Sequence, residues 1–306
     1  MSFNVPILLI VFNRPNKTKK LFDIIKKIKP KNLYVSADGP REKNHNDLNL
    51  CSQVREIFNN IDWECNFHNL YNNENKSCKI NVIESINWLF SKEKMGIILE
   101  DDCLPDLSFF NYCKILLEKY EFEEKIMQIN GHSNNQTSPN DYSYYFSKLN
   151  STWGWATWKR AWDKFTTNMN DFDEKKNKKK INIFYQNEDI ANWMERYFEK
   201  TFKGEDKIWS LNWAYCIMNS DGLTISPFKN LIFNSGFDGS GTSGSFEEFS
   251  KFSDLKVNNI KNINHPKTII YNKKFDENFF YNFVEPVDRR AKTSFFKKIL
   301  KKIFIK

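Results

Sequence analysis

Short apolar runs alternate with longer amphipathic stretches along the first half of the chain. Residues 6–12 are apolar enough for a buried strand, and residues 16–28 carry a helical period that closes before Pro30. Residues 32–37 predict a second strand, ended by the turn Asp38-Gly39-Pro40. Residues 46–60 predict a helix with Leu48, Val54, Ile57 and Phe58 on its apolar face, and residues 63–68 a third strand. A helix over residues 80–90 leads to a fourth strand at residues 95–99. Helices of this length between short apolar strands imply βαβ units and a largely parallel sheet.

The fourth strand stops abruptly on three carboxylates, Glu100-Asp101-Asp102, with Pro105, Asp106 and a helical pattern over residues 107–120 behind them. Further strands are expected at residues 125–130 and 142–146, before an aromatic block that runs from Trp153 through Trp155 and Trp158 to Trp162. Residues 166–182 are polar and Lys-rich and predict a surface loop. Residues 190–202 predict a helix stopped by Gly204, and Glu205-Asp206 opens another over residues 207–218. Residues 234–250 are rich in Gly and Ser, which suits either a loop that closes over a ligand or a merely flexible surface loop; residues 251–287 show weak strand signals without a clear order.

Composition narrows the class. With 306 residues and 28 Phe and 9 Trp, the chain can bury a sizeable core in one large domain or two modest ones. The six cysteines lie far apart without a C-x-x-C pair, which reads as reduced thiols in a cytoplasmic protein rather than a disulfide framework or zinc site. The N-terminal apolar run lacks a basic flank and a small-residue cleavage site, so it reads as a strand rather than a signal peptide, and no segment approaches the length of a membrane span.

Charge is unevenly placed. Beyond Asp288 there is no acid, and the eight basic residues there equal the net charge of +8, leaving the rest formally neutral. A nucleic-acid enzyme carries its positive charge along a groove in the body, so no nucleic-acid partner is expected. Within that tail Phe295, Phe296, Ile299, Leu300 and Ile303 share one helical face and Lys297, Lys298, Lys301 and Lys302 the other. Such a segment suits an anionic membrane surface; a solvated or partner-bound tail has the same pattern.

The chain has no G-x-x-x-x-G-K-[ST], G-x-G-x-x-G or G-x-S-x-G motif, and its four histidines lack metal-ligand spacing. What remains is chemistry at strand ends: Arg14 after the first strand, Asp38 after the second, the acidic trio after the fourth. In a parallel sheet these loops share one edge, where open α/β sheets bind ligands. Clustered hard oxygens there suit Mg²⁺ or Mn²⁺ held together with substrate phosphates. Each residue also has a plainer reading: Asp102 or Asp106 as a helix cap, Arg14 as a solvated surface group, Asp38 as a turn former.

The order Val11-Phe12-Asn13-Arg14-Pro15, Ala37-Asp38-Gly39-Pro40, then Glu100-Asp101-Asp102 followed by Pro105-Asp106 and Phe109-Phe110, resembles the GT-A glycosyltransferases. It is similar in particular to N-acetylglucosaminyltransferase I and bacterial family 2-like sugar transferases. Further matches are Gly154-Trp155 with Trp158, Glu205-Asp206 with Trp209, and Asn230-Leu231-Ile232 with Asn234 and Gly236; together they span about residues 5 to 243. The resemblance implies a Rossmann-like GT-A fold over residues 1–250, with residues 251–288 as an extension packed on it and 289–306 as the basic tail. It also implies Asp102 as the direct Mn²⁺ ligand, Asp101 on the ribose, Glu100 facing the donor sugar, Asp38 on the uracil and Arg14 beside the nucleotide. Asp206 would be the general base, with Glu205 the other candidate; an N-cap role for Asp206 is the structural alternative. Many bacterial relatives carry a histidine after the threonine of Gly241-Thr242-Ser243; here Ser243 stands there, leaving the metal one protein ligand fewer.

The expected activity is therefore inverting transfer of a sugar from a UDP-sugar to a glycan or lipid-linked acceptor, in polysaccharide or lipopolysaccharide assembly on the inner face of a membrane. Trp153, Trp155 and Trp158 either form a platform for sugar rings or fill the core beneath the acceptor cleft. A metal-dependent phosphoesterase or nucleotidyltransferase using the same acids is one rival, and a non-catalytic sugar-binding module is another.

Overall fold

The chain's computed structural model describes residues 3–169, 171–172, 174–205, 208–237 and 255–286. Strand β1 (Ile7–Val11) is buried at all five positions, since both faces of the sheet are covered and no position needs to be polar. Helix α1 (Pro15–Ile28) returns the chain to β2 (Asn32–Ala37), and α2 (His45–Glu56) to β3 (Asn66–Tyr71). Helix α3 (Cys78–Phe90) precedes β4 (Met95–Glu100), and the short β5 (Cys103–Pro105) precedes α4 (Leu107–Lys119). There follow β6 (Ile126–Asn130), β7 (Tyr144–Ser147) and β8 (Trp155–Trp158), then helices α5 (Lys159–Trp162), α6 (Glu174–Tyr185), α7 (Glu188–Phe202) and α8 (Trp209–Asn219). The last elements are β9 (Leu223–Pro227), β10 (Ile232–Asn234) and α9 (Lys273–Phe279).

Eight strands form one sheet in the order β3-β2-β1-β4-β8-β6-β9-β7. The first four are mutually parallel, as the βαβ pattern requires. Strand β8 then runs antiparallel to both β4 and β6, β9 returns parallel to β6, and β7 is an antiparallel edge. The result is a Rossmann-like, mostly parallel α/β sheet, as the sequence predicts. Apolar faces of α1, α2 and α4, with Leu21, Phe22, Val54 and Phe109, cover one side. Helices α3 and α5–α8, with Val82, Trp162, Phe198 and Trp213, cover the other.

Several expectations shift. Leu48 is 70% exposed, while the expected Val54 and Phe58 are buried together with Asp47 and Cys51. Strand β3 starts at Asn66, because Trp63 packs inward against Phe22 and donates its indole N–H to the Pro30 carbonyl. The expected Lys-rich loop contains α6, whose Ile181, Phe184 and Tyr185 reach the core while the lysines at 178–180 stay outside. Residues 251–287 contain no β-strand among those described; they form α9 and a π-helical turn, Phe280–Val284. Among the described residues no helix is long and apolar enough to cross a membrane, and none of the six cysteines is paired.

Segment 255–286 is tied to the body by backbone and side-chain bonds. Ile260 N–H donates to Ser108 Oγ at 3.0 Å, and Tyr271 bridges to Phe146 on β7. The buried Asp276 on α9 accepts from Ser147 Oγ at 2.5 Å and from the Lys148 N–H at 2.8 Å. Burial pushes its carboxyl up to about 7, with those hydrogen bonds opposing the rise. A folded-state value above the unfolded one gives stability that is full at low pH and lost as pH rises through about 7. Asp276→Asn is therefore expected to flatten the decline in stability between about pH 5 and 8 by on the order of 1–3 kcal/mol. Urea unfolding of both proteins across that range checks it; equal slopes would remove Asp276 as the cause.

Candidate active site

The acidic trio sits where β4 ends, on the edge that also receives the carboxyl end of β1. Asp106 is the N-cap of α4, accepting from Ser108 N–H at 2.8 Å. The cap is thus filled by Asp106, and Asp102 is left for other contacts. Arg14, the N-cap residue of α1 directly after β1, spans the two aspartates. Its Nε and Nη2 grip both oxygens of Asp101, the first at 3.1 Å, while Nη1 reaches Asp102 Oδ2 at 3.1 Å. This is the planar, two-pronged geometry that a guanidinium provides and an ammonium cannot.

Three acids face one guanidinium, and the electrostatics record the imbalance. Burial works against charge on Arg14, but Asp101 and Asp102 hold it protonated above its usual range. Burial, then the Asp102 and Asp101 charges, push the Glu100 carboxyl up. Burial also raises Asp101, with Arg14 opposing. Lys17, one turn along α1 from Arg14, adds positive field at Asp101 and donates its Nζ to the Ser235 carbonyl at 2.9 Å. A helix start carrying Pro15 with Arg14 and Lys17 beside it is a place for anionic oxygens.

The stretch from Asn230 to Gly236, far away in sequence, folds directly onto the trio. Strand β10 pairs antiparallel with β5, setting Asn234 opposite Cys103. The Ser235 N–H and Oγ both donate to the Asp102 carbonyl, at 2.8 and 3.1 Å. A Cβ on Gly236 would lie 2.7 Å from Asp102 Oδ2 and 2.9 Å from Asn234 Oδ1. A side chain there would push Asp102 or Asn234 aside. Gly236→Ala is expected to cost about 1–3 kcal/mol of stability, the range for forcing a methyl into a packed position; urea unfolding measures it.

Asp38 lies on the same edge but is buried, and the chain itself uses its carboxylate. Oδ1 accepts from Gly39 and Lys76 N–H, both at 2.9 Å, and Oδ2 from Asn75 Nδ2 at 2.9 Å. It pins residues 74–76 against the end of β2. Burial raises its pKa against those hydrogen bonds. Sequence reading passed over a second ionic cluster beside it. Arg41 bonds Asp47 through Nε at 2.5 Å and Nη2 at 2.9 Å, and Asn13 Nδ2 joins at 2.7 Å. Hydrogen bonding by Arg41 lowers Asp47 to about 2. Arg41 also lies 5.4 Å from the Phe12 ring. The adjacency of Asn13 to Arg14, and of Arg41 to Pro40, was the available signal.

Of the three tryptophans, Trp155 and Trp158 are each 1% exposed. Trp155 packs among Trp162, Trp209 and Trp213, and Trp158 donates its indole N–H to the Leu117 carbonyl. Both belong to the core, so the platform reading fails for them: a strand covered on both faces buries alternate side chains on both sides. Trp153 alone is half-buried and lines a cavity. Glu205 is exposed at the turn between α7 and α8. Asp206, Ser243 and the basic tail 289–306 lie outside the described residues, as does most of the 234–250 loop.

The donor set fits a divalent cation that is shared with a substrate. Arg14 engages both Asp101 oxygens and one of Asp102, whose other oxygen accepts from the Cys103 thiol at 3.5 Å; the Asp102 side chain is 17% exposed against 2% for Asp101, so Asp102 is the more accessible hard ligand. Among the described residues no group of three or more His, Cys, Asp or Glu side chains is arranged to hold a metal ion by itself. One or two carboxylates plus phosphate oxygens is the coordination Mg²⁺ and Mn²⁺ commonly take.

No family model matches the chain, and no curated protein does either. Among solved structures, HddC from Yersinia pseudotuberculosis is similar over 51% of this chain and 77% of its own, at 9% identity and a TM-score of 0.32. The 4-diphosphocytidyl-2C-methyl-D-erythritol synthase of Anaerococcus prevotii is similar over 51% of this chain and 72% of its own, at 8% identity and a TM-score of 0.32. Both likenesses cover about half of the present chain.

Proposed function

We propose that the chain is an inverting GT-A glycosyltransferase that moves a sugar from a nucleoside-diphosphate donor, a UDP-sugar, to a glycan or lipid-linked acceptor. The observation that carries this reading is the convergence of Arg14 with Asp101 and Asp102 at the carboxyl ends of β1 and β4. Three acids with one guanidinium leave a negative surplus that a diphosphate-bound cation would balance. Arg14 and Lys17 would orient the anionic end of the donor, and Asp101, the member of the trio gripped by the Arg14 fork, would contact the ribose. Glu100, the last residue of β4, would face the donor sugar and accept from its hydroxyls. Asp102 would hold Mn²⁺ or Mg²⁺, which would supply charge neutralisation on the departing diphosphate. Asp206 takes the proton from the acceptor hydroxyl as attack proceeds, with Glu205 the second candidate. The basic tail 289–306 brings the enzyme to an anionic membrane surface where a lipid-linked acceptor resides.

The test is thermal unfolding with UDP, with Mn²⁺, and with both. Together they are expected to stabilise by about 2.7 kcal/mol at a hundredfold excess over Kd. A nucleotide-sugar screen in the presence of Mn²⁺ should then release UDP. Release of pyrophosphate from UTP and a sugar phosphate would instead establish nucleotidyl transfer, and no stabilisation by any uridine nucleotide would remove the donor site.

A further inference from the structure

A cavity of about 230 Å³ opens between the 149–153 loop, helices α7 and α8, and the end of α9. Its wall contains Trp153, Trp193, Phe279 and Leu211, with Ser151 and Ser210 among the polar positions. No charged side chain lines it among the described residues. His132, which does line it, is buried against Trp153 and Phe279 with ring centroids 4.6 and 6.0 Å away. Burial lowers its pKa to about 3, so it is a neutral imidazole at physiological pH.

The 149–153 loop is held by buried polar side chains that a simple surface turn would not need. Gln128 on β6 donates to the Ser151 carbonyl at 2.7 Å and accepts from Trp213 Nε1 at 2.6 Å. Asn130 accepts from Ser151 N–H at 3.2 Å, and Thr224 Oγ1 donates to the Leu149 carbonyl at 2.8 Å. Such a network fixes backbone position at the cost of burying several polar groups. Gly154 continues it: its φ of +63° and the 2.5 Å approach of Ile232 to its notional Cβ both require glycine. Leu99, the residue before Glu100, is the next contact. Trp153 thus lies two residues before Trp155, which pairs with Ile98 on β4, the strand that ends on the acidic trio.

We infer that this cavity is the acceptor subsite and that it takes one neutral pyranose ring. The inference rests on the glycosyl-transfer reading and specifies what that reading leaves open. A cavity that holds a benzene ring is about 150 Å³, and drug-sized ligands occupy about 300 Å³ or more, so the volume matches a single six-membered ring. Walls without charge exclude a phosphate or nucleotide. Indole and phenyl surfaces suit the C–H faces of a sugar, and the Ser151 and Ser210 hydroxyls suit its rim. An alkyl chain would leave those serine hydroxyls unpaired.

Saturation-transfer NMR with methyl glycosides of glucose, galactose, N-acetylglucosamine and N-acetylgalactosamine tests this on the full-length protein, with decanol as the apolar competitor. At least one glycoside is expected to bind, with affinity reduced roughly fivefold in Ser210→Ala, the loss of one hydrogen bond, and about tenfold in Trp153→Ala. Ser210→Ala removes one hydroxyl and no ring, so a folding defect in Trp153→Ala does not decide the matter. Binding of no glycoside, equal affinity in wild type and Ser210→Ala, or displacement of the glycoside by decanol overturns the subsite. UDP binding to the same wild-type sample reports on the donor reading separately.

Discussion

Asp102→Asn is expected to lower sugar transfer by about 10²–10³-fold or more while leaving the unliganded protein at least as stable as wild type. The two effects have one origin. The carboxylate lies within a cluster where three acids share one guanidinium, and burial already pushes Glu100 and Asp101 toward protonation. Removing one negative charge relieves that repulsion, and an asparagine oxygen can still accept from Arg14 Nη1. The same change removes the hard ligand available to a cation and the charge balance at the diphosphate. The measurement is a pair: transfer rate with saturating donor, and thermal unfolding with and without UDP and Mn²⁺. The stabilisation by UDP with Mn²⁺ should vanish. A large fall in apo stability instead would recast Asp102 as a structural acid.

Arg14→Ala carries the opposite expectation, a loss of about 3–5 kcal/mol of stability, because Asp101 then sits buried without its counter-charge. Asp101 is only 1% exposed and both of its oxygens are taken by Arg14. Arg14→Lys should restore little, since one ammonium cannot reproduce the fork. Urea unfolding of Arg14→Ala, Asp101→Asn and the double variant closes a cycle. The double variant should recover more than about 1 kcal/mol over the sum of the single losses. Simple additivity would mean that the pair is not coupled and that Arg14 is a surface residue near an acid.

How much of this was readable beforehand depended on whether the signal was local. An apolar run ending in three acids is a contiguous pattern, and so the trio, its strand and the edge shared with Arg14 were legible. The parallel half followed from helical and strand periods that agree with their context. Strand β9 was missed because Leu223–Pro227 is short and mixes polar Thr and Ser with its apolar positions, both paired inside the sheet. Helix α6 was hidden because a run of lysines outweighed the spacing of Ile181 and Tyr185. Asp38 read as a free acceptor; what occupies it, residues 74–76, is set by loop geometry with no sequence period. The cavity was beyond reach, since its walls come from five separate segments and its loop is fixed by Gln128, Asn130 and Thr224, each on a strand whose pattern gives no hint of that role.

The position of β8 also sets an order of events during synthesis. It enters between β4 and β6, so no hydrogen bond joins those two strands directly. A nascent chain that has released β1 to β4 presents β4 as an open edge until residues 155–158 emerge. At about 5–20 residues per second that interval lasts several seconds, long compared with collapse of the parallel half. During it, the acids at the end of β4 are the charged terminus of an otherwise apolar, unpaired strand. Charge at such an edge discourages a second nascent chain from pairing there. The residues that serve the mature cleft would thus also guard the half-made sheet against its neighbours on the same message.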